Sequence, residues 1–222
     1  MTTTFSKVDQ ILPAVANLPV QHLLLEDVSW SFYVRFLRET DEQQHLQITY
    51  DKGRMEIVSP SPGHERRKTI LGSLIDIIAL ERDIQMCRLG STTFRRKKLK
   101  KGLEPDECFY IANEARVRGK DRIDLRIDPP PDLVVEVDVT SRSIKREPVY
   151  AALGVPELWR HNGLDLTFRK LNPETKVYDL IGTSLAFPFL APTDLNRFLN
   201  MLPSEPETRM LREFRDWIRQ GV

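Results

Sequence analysis

The sequence predicts an α/β domain: a central mixed β-sheet flanked by helices, with added β-hairpins. Three observations predict it. Runs with strand alternation and runs with a helical 3.6-residue period succeed one another along the chain. The most apolar run, Leu133–Val139, contains Leu-Val-Val-Glu-Val, the pattern of a central strand covered on both faces. The 222 residues are 41% apolar and 29% charged, enough to bury a core without disulfides or metals.

Each element has a local reason. Ser29 caps a short predicted helix over Trp30–Glu39, with Trp30, Val34 and Leu37 on one side. Pro13 and Pro19 limit helix length before it. Leu46–Tyr50 and Arg54–Val58 read as strands joined at Asp51-Lys-Gly53. After Ser-Pro-Ser-Pro, a helix is expected from about His64 to Arg82, with Ile70, Leu71, Leu74, Ile77, Ile78 and Leu80 in period. Ile84–Leu89 and Thr92–Arg95 favour strand around a turn at Gly90, and Cys108–Ile111 is a short apolar strand. Residues 113–131 read as a loop with a short element, and Thr140-Ser141 marks a turn or cap.

A helix is expected over Ser143–Leu153, where Pro148 is tolerated only near the first turn, and Gly154 ends it. Glu157–Arg160 and Leu164–Leu171 flank the turn dipeptide Asn162-Gly163, and Val177–Ile181 is a further strand. Two helical pieces close the chain, near Asp194–Leu202 and Glu207–Gln220. The second carries Met210, Leu211, Phe214, Trp217 and Ile218 on one stripe. The organisation is therefore an extension (1–24), one domain (25–202) and an amphipathic C-terminal helix (203–222).

Composition excludes several function classes. Thirty-three basic against 32 acidic residues give a net charge of +1, so the protein is not uniformly basic. Cys87 and Cys108 form no CxxC pair, which argues against a zinc ribbon or a disulfide scaffold and fits a reducing, cytoplasmic setting. The first ten residues do not read as a secretion signal, and no apolar run is long enough to span a membrane. No GxGxxG, P-loop, GxSxG or HExxH occurs.

What remains is acid in apolar strands. Glu136 and Asp138 leave the same face of one strand, among Val134, Val135, Val137 and Val139. Buried carboxylates require a hydrogen-bonding partner, a counter-charge or a metal. A divalent Mg²⁺ or Mn²⁺ held by Asp106, Glu136 and Asp138 would meet that need and activate water. An internal arginine pair for Glu136, and turn roles for Asp106 and Asp132, meet it equally. Glu56 is a weaker member of the acidic set. Lys145, with Arg146 competing, is a candidate to point back at the cluster from the next helix. It is equally compatible with a solvated helix position. His64 and Glu65 open the long helix, as proton shuttle and metal-reaching acid or as local hydrogen-bonding and capping residues. Arg95, Arg96, Lys97, Lys98, Lys100 and Lys101 put six positive charges in seven residues. That run suits a DNA phosphate backbone or a plain solvated loop.

The stretches YDKGRMEIVSP (50–60), Gly63-His64-Glu65, Glu104-Pro105-Asp106, PPDLVVEVD (130–138) and GVPELWR (154–160) together resemble the Uma2 family. That family was formerly a domain of unknown function abundant in cyanobacteria, and it is placed in the PD-(D/E)XK superfamily. The resemblance implies a restriction-endonuclease-like core over about residues 25–200. Asp106 would match the aspartate of the Pro-Asp motif and Glu136 the acid of the next strand. The lysine expected two positions later is Asp138 here, and Lys145 is the substitute on the following helix. Glu65 would match an acid that some members carry on the first helix. The expectation is a Mg- or Mn-dependent endonuclease acting on DNA and working as a homodimer. The alternatives are a degenerate nucleic-acid binder on the same fold, or an oligomeric protein whose amphipathic tail packs on a partner.

Overall fold

The computed structural model describes residues 22–40, 46–138 and 142–221. The expectations at Pro13, Pro19, Val139 and Thr140-Ser141 lie outside the described residues.

The described elements, in order, are β1 (His22–Leu25), α1 (Trp30–Thr40), β2 (Gln47–Asp51), β3 (Arg54–Val58) and α2 (Pro62–Glu81). Then come β4 (Cys87–Arg88), β5 (Phe94–Arg96), a 3₁₀ turn (Lys97–Leu99), β6 (Lys101–Leu103), β7 (Glu107–Tyr110), α3 (Glu114–Val117) and β8 (Leu133–Val137). Next are α4 (Glu147–Leu153), β9 (Glu157–His161), β10 (Leu166–Leu171), β11 (Tyr178–Ile181), α5 (Pro192–Leu199) and α6 (Glu207–Arg219).

They build two sheets, where the sequence suggested one sheet with hairpins added. A five-stranded antiparallel sheet runs β1-β3-β2-β6-β5. A six-stranded mixed sheet runs β11-β10-β9-β8-β7-β4. Its one parallel pair among the described residues is β8 with β9, joined through α4 as a parallel crossover requires. The β2–β3 hairpin turns at Lys52 (φ 48°) and Gly53 (φ 97°). Glycine serves the second position because φ above zero costs it nothing there.

Strand β8 lies between two apolar clusters, and its alternation decides which residue meets which. Leu133, Val135 and Val137 face the cluster formed with Ile70, Leu74 and Ile78 of α2, Phe198 of α5, and Met210, Phe214 and Ile218 of α6. Val134 faces the opposite cluster, with Val149, Tyr150 and Leu153 of α4. Glu136 is in register with Val134, so it points toward α4. The stripe of α6 is buried in the chain's own core, and Arg66–Glu207 and Arg219–Glu81 pairs tie that helix to α2. The stripe thus packs within the chain, where one of the alternatives had it pack on a partner.

Helix α2 starts at Pro62 because Ser61 caps it, accepting from the His64 backbone N–H at 3.2 Å. Its Leu80 is exposed rather than part of the stripe. In α1 the buried residues are Tyr33, Phe36 and Thr40, while Trp30, Val34 and Leu37 are half-buried. Pro148 sits in the first turn of α4, where its missing N–H costs nothing.

Candidate functional site

The site is built where the two sheets meet. Pairing of β7 with β8 ends at Glu107↔Val135. Just before it, Asp106 is fully buried, and its carboxylate accepts the Val137 N–H of β8 at 2.6 Å. The same carboxylate accepts from Gln47 of β2 in the other sheet, and from His64 Nε2 at 3.0 Å. Gln47 in turn accepts from Arg142 at 2.5 Å, so Arg142, Gln47 and Asp106 form a relay of donors ending on one acid.

Electrostatics follow from these partners. Burial pushes the Asp106 carboxyl up, but the His64 hydrogen bond and the charges of His64, Arg146 and Arg142 outweigh it and hold the carboxyl down at about 2. Burial works against a charged His64, yet Asp106 on one ring nitrogen and Glu65 on the other (3.3 Å) raise its pKa. Carboxylates on both nitrogens stabilise the imidazolium relative to its ordinary balance with the neutral ring.

Glu136 is 2% exposed and faces α4. Arg146 contacts its Oε1 at 2.8 Å, and the Tyr150 hydroxyl donates to the same oxygen. Its Oε2 is buried without a hydrogen-bond partner among the described residues. Burial outweighs Arg146, and Asp106 adds repulsion, so the Glu136 carboxyl is pushed up to about 7. Asp138, one residue past β8, is paired by Arg160 at 2.5 Å and faced by Arg142 at 3.8 Å. Arg160 also contacts Glu147 of α4 at 3.2 Å.

Glu136 and Asp138 open on one cavity of about 600 Å³, which Arg142, Lys145, Arg146 and Tyr150 also line. Lys145 is exposed and lies in the segment before α4, not on a helix as expected; no ion pair holds it among the described residues. The cation that reaches Glu136 is Arg146. Glu65 is half-exposed and pairs with Lys68 at 3.3 Å and His64. Glu56 does not join the acids. It is buried in the other sheet, bonded to His22 (2.6 Å) and the Ser143 N–H (2.5 Å). Asp132 is a loop tie that accepts from the Ile111 and Asn113 backbones at 2.7 and 2.9 Å.

The divalent metal that the resemblance implies would need carboxylate oxygens free to ligate it. Both Asp106 oxygens are occupied by donors, and Glu136 and Asp138 are each met by arginine. Among the described residues no three His, Cys, Asp or Glu form a group able to hold a metal ion. As arranged, these residues do not fit one.

Beside α1 and β5 lies a larger groove of about 1840 Å³. Ten cations line it against three carboxylates, and Lys68, Arg88, Lys120 and Arg126 among them are held in ion pairs within the fold. Arg95, Arg96, Lys97, Lys98 and Lys100 are exposed there or at its edge, whereas Lys101 turns inward to Asp51 at 2.7 Å.

The family model described as "Uma2: Putative restriction endonuclease" matches residues 30–190, most of the chain. The chain belongs to the Uma2 family. The matched span contains both sheets' central strands and every acid of the site. One solved structure that this Uma2 chain resembles is described as "a putative nuclease belonging to DUF820" from Anabaena variabilis. It is 14% identical with a TM-score of 0.44, covering 68% of this chain and 89% of that one. None of the curated proteins matches. No helix among the described residues is long and apolar enough to cross a membrane.

Sequence reasoning missed Gln47, Arg142, Tyr150 and Arg160. The signals for two of them were present: Arg142 is four residues past Asp138, and Tyr150 is one helical turn past Arg146.

Proposed function

We propose that this Uma2 chain is a nucleic-acid-binding protein on a restriction-endonuclease-like core, with duplex DNA held in the cationic groove. The observation that carries the reading is the run of exposed cations Arg95, Arg96, Lys97 and Lys98 on that groove, in a protein whose net charge is only +1. The groove exceeds the roughly 300–1,000 Å³ usual for small-molecule pockets, as an extended polyanion requires. Lys97 and Lys98 sit on the 3₁₀ turn at its rim, where they can contact successive phosphates.

The test is anisotropy of a labelled duplex titrated at several salt concentrations. Affinity should fall steeply with salt. The Lys97→Glu/Lys98→Glu variant should weaken binding and flatten the salt slope by roughly 2, at about 0.9 per phosphate contact. Salt-independent binding, or a variant indistinguishable from wild type, sinks the reading.

A second reading is a Mg²⁺- or Mn²⁺-dependent endonuclease. Besides the family description, one observation favours it: Asp106 and Glu136 are both buried and close enough for the charge of one to raise the pKa of the other. Incubating DNA with the protein and Mn²⁺ separates the two readings. Cleavage that disappears in Asp106→Ala establishes the endonuclease, and binding without cleavage retains the binder.

A further inference from the structure

We infer that the cavity between β8, α4 and β11 is a receptor for a phosphate monoester, of the size and chemistry of a mononucleotide. It is distinct from the cationic groove.

Two buried arginines beside the cavity keep donors in reserve. The side chains of Arg142 and Arg146 are 7% and 5% exposed, and both line the cavity. Each guanidinium spends one terminal nitrogen on hydrogen bonds within the fold, Arg142 on Gln47, and Arg146 on the Glu104 carbonyl, Tyr150 and Glu136, while Arg142 Nε also faces the Asp138 carboxylate at 3.8 Å. The other terminal nitrogen and Nε of each are buried without a hydrogen-bond partner among the described residues. Buried donors left unmet are costly, and guanidinium groups most of all. A tetrahedral dianion offers acceptors to two guanidinium groups at once, in their preferred forked geometry.

Charge and shape agree. Five cations line the cavity (Arg142, Lys145, Arg146, Arg160 and Lys176) against the carboxylates of Glu136, Asp138 and Glu147. At about 600 Å³ the cavity holds a small ligand and not a duplex. Ile144, Pro148, Leu158, Val177 and Tyr178 give the cavity an apolar share of its lining, against which a ring can pack. The Tyr178 hydroxyl is already spent on the Val155 carbonyl at 2.7 Å. Lys145 and Lys176 stand exposed at the cavity, where they attract the anion.

Calorimetric titration with inorganic phosphate, a 5′-mononucleotide and the matching nucleoside tests this. Phosphate should bind, the mononucleotide more tightly, and the nucleoside much more weakly than either. Arg142→Gln should cost the mononucleotide about tenfold or more in affinity. Since Arg142 also supports Gln47, a Lys145→Glu variant at the exposed position provides a second measure. It should weaken the mononucleotide several-fold without altering the melting temperature. The Lys97→Glu/Lys98→Glu variant should bind the mononucleotide like wild type while losing duplex affinity. A 5′-phosphorylated oligonucleotide that competes where its 5′-hydroxyl form does not would identify the source as a strand end; competition by the free mononucleotide alone would identify a free metabolite. Absence of binding by phosphate and mononucleotide at millimolar concentration, indifference to both Arg142→Gln and Lys145→Glu, or loss of mononucleotide binding in the groove variant would overturn the proposal.

Discussion

Glu136 makes the stability of this protein depend on pH in an unusual direction. Its carboxyl moves from the ordinary 4.5 to about 7 on folding, chiefly because it is buried. Between those values the folded state holds a proton that the unfolded state has released. Stability therefore falls as pH rises across that window. At about 1.4 kcal/mol per pH unit, the loss attributable to Glu136 is about 3 kcal/mol. His64 adds to the same trend: its raised pKa contributes stability that is complete below its ordinary 6.5 and is lost as pH rises through its folded value. Asp106 acts on the other flank. Its lowered carboxyl stabilises above the ordinary 3.8, and that contribution disappears as pH falls toward about 2. The stability optimum should thus lie on the acid side of neutrality. Urea unfolding at steps from about pH 4.5 to about 7.5 measures it. Glu136→Gln should remove most of the decline between pH 4.5 and 6.5, leaving that of His64 at higher pH. A wild-type stability that rises or stays flat over the window, or a Glu136→Gln variant with an unaltered decline, would refute the reasoning.

Two further variants address the frame of the site. Phe214 of α6 is fully buried, with its ring edge-on to Phe198 at 5.0 Å. Phe214→Ala should lower unfolding free energy by about 3–5 kcal/mol in denaturant titration, because α6 belongs to the core of this chain. Asp132→Ala leaves the Ile111 and Asn113 N–H groups without their acceptor, along with the Asn113 side-chain amide. A loss of about 2 kcal/mol is expected, with faster proteolysis between residues 111 and 132.

How much of this was legible depends on the range over which each feature is encoded. The β2–β3 hairpin, the capped start of α2 and the buried strand β8 are written locally, in a Lys-Gly turn, a Ser-Pro cap and an unbroken apolar run. The second sheet is not. It forms because β2 pairs with β6, Thr49 opposite Leu103, and no local pattern announces a partner more than fifty residues away. Short strands such as Cys87–Arg88 owe their existence to the neighbour they join, so the longer strand expected over Ile84–Leu89 shrank to two residues. At the site, the acids were visible because a carboxylate in an apolar strand stands out. Their arginine partners were hidden, because a basic residue in a polar segment looks the same whether it points out or in.

That asymmetry decides the chemistry. A buried acid is satisfied equally by a metal or by a cation from the protein, and sequence separates the two only when the cation's direction is known. Here α4 turns Arg146 and Tyr150 onto the one oxygen of Glu136, and the chain around Asp138 brings Arg142 and Arg160 onto the other acid. Once paired, the acids no longer supply the excess negative charge that a divalent ion requires. The balance tips the other way, because a guanidinium carries five donors and these carboxylates engage only some of them. Two of the three acids that were candidates for holding a cation, Glu136 and Asp138, therefore border a cavity whose unmet groups are four guanidinium nitrogens against one carboxylate oxygen. Its ligand should be an anion.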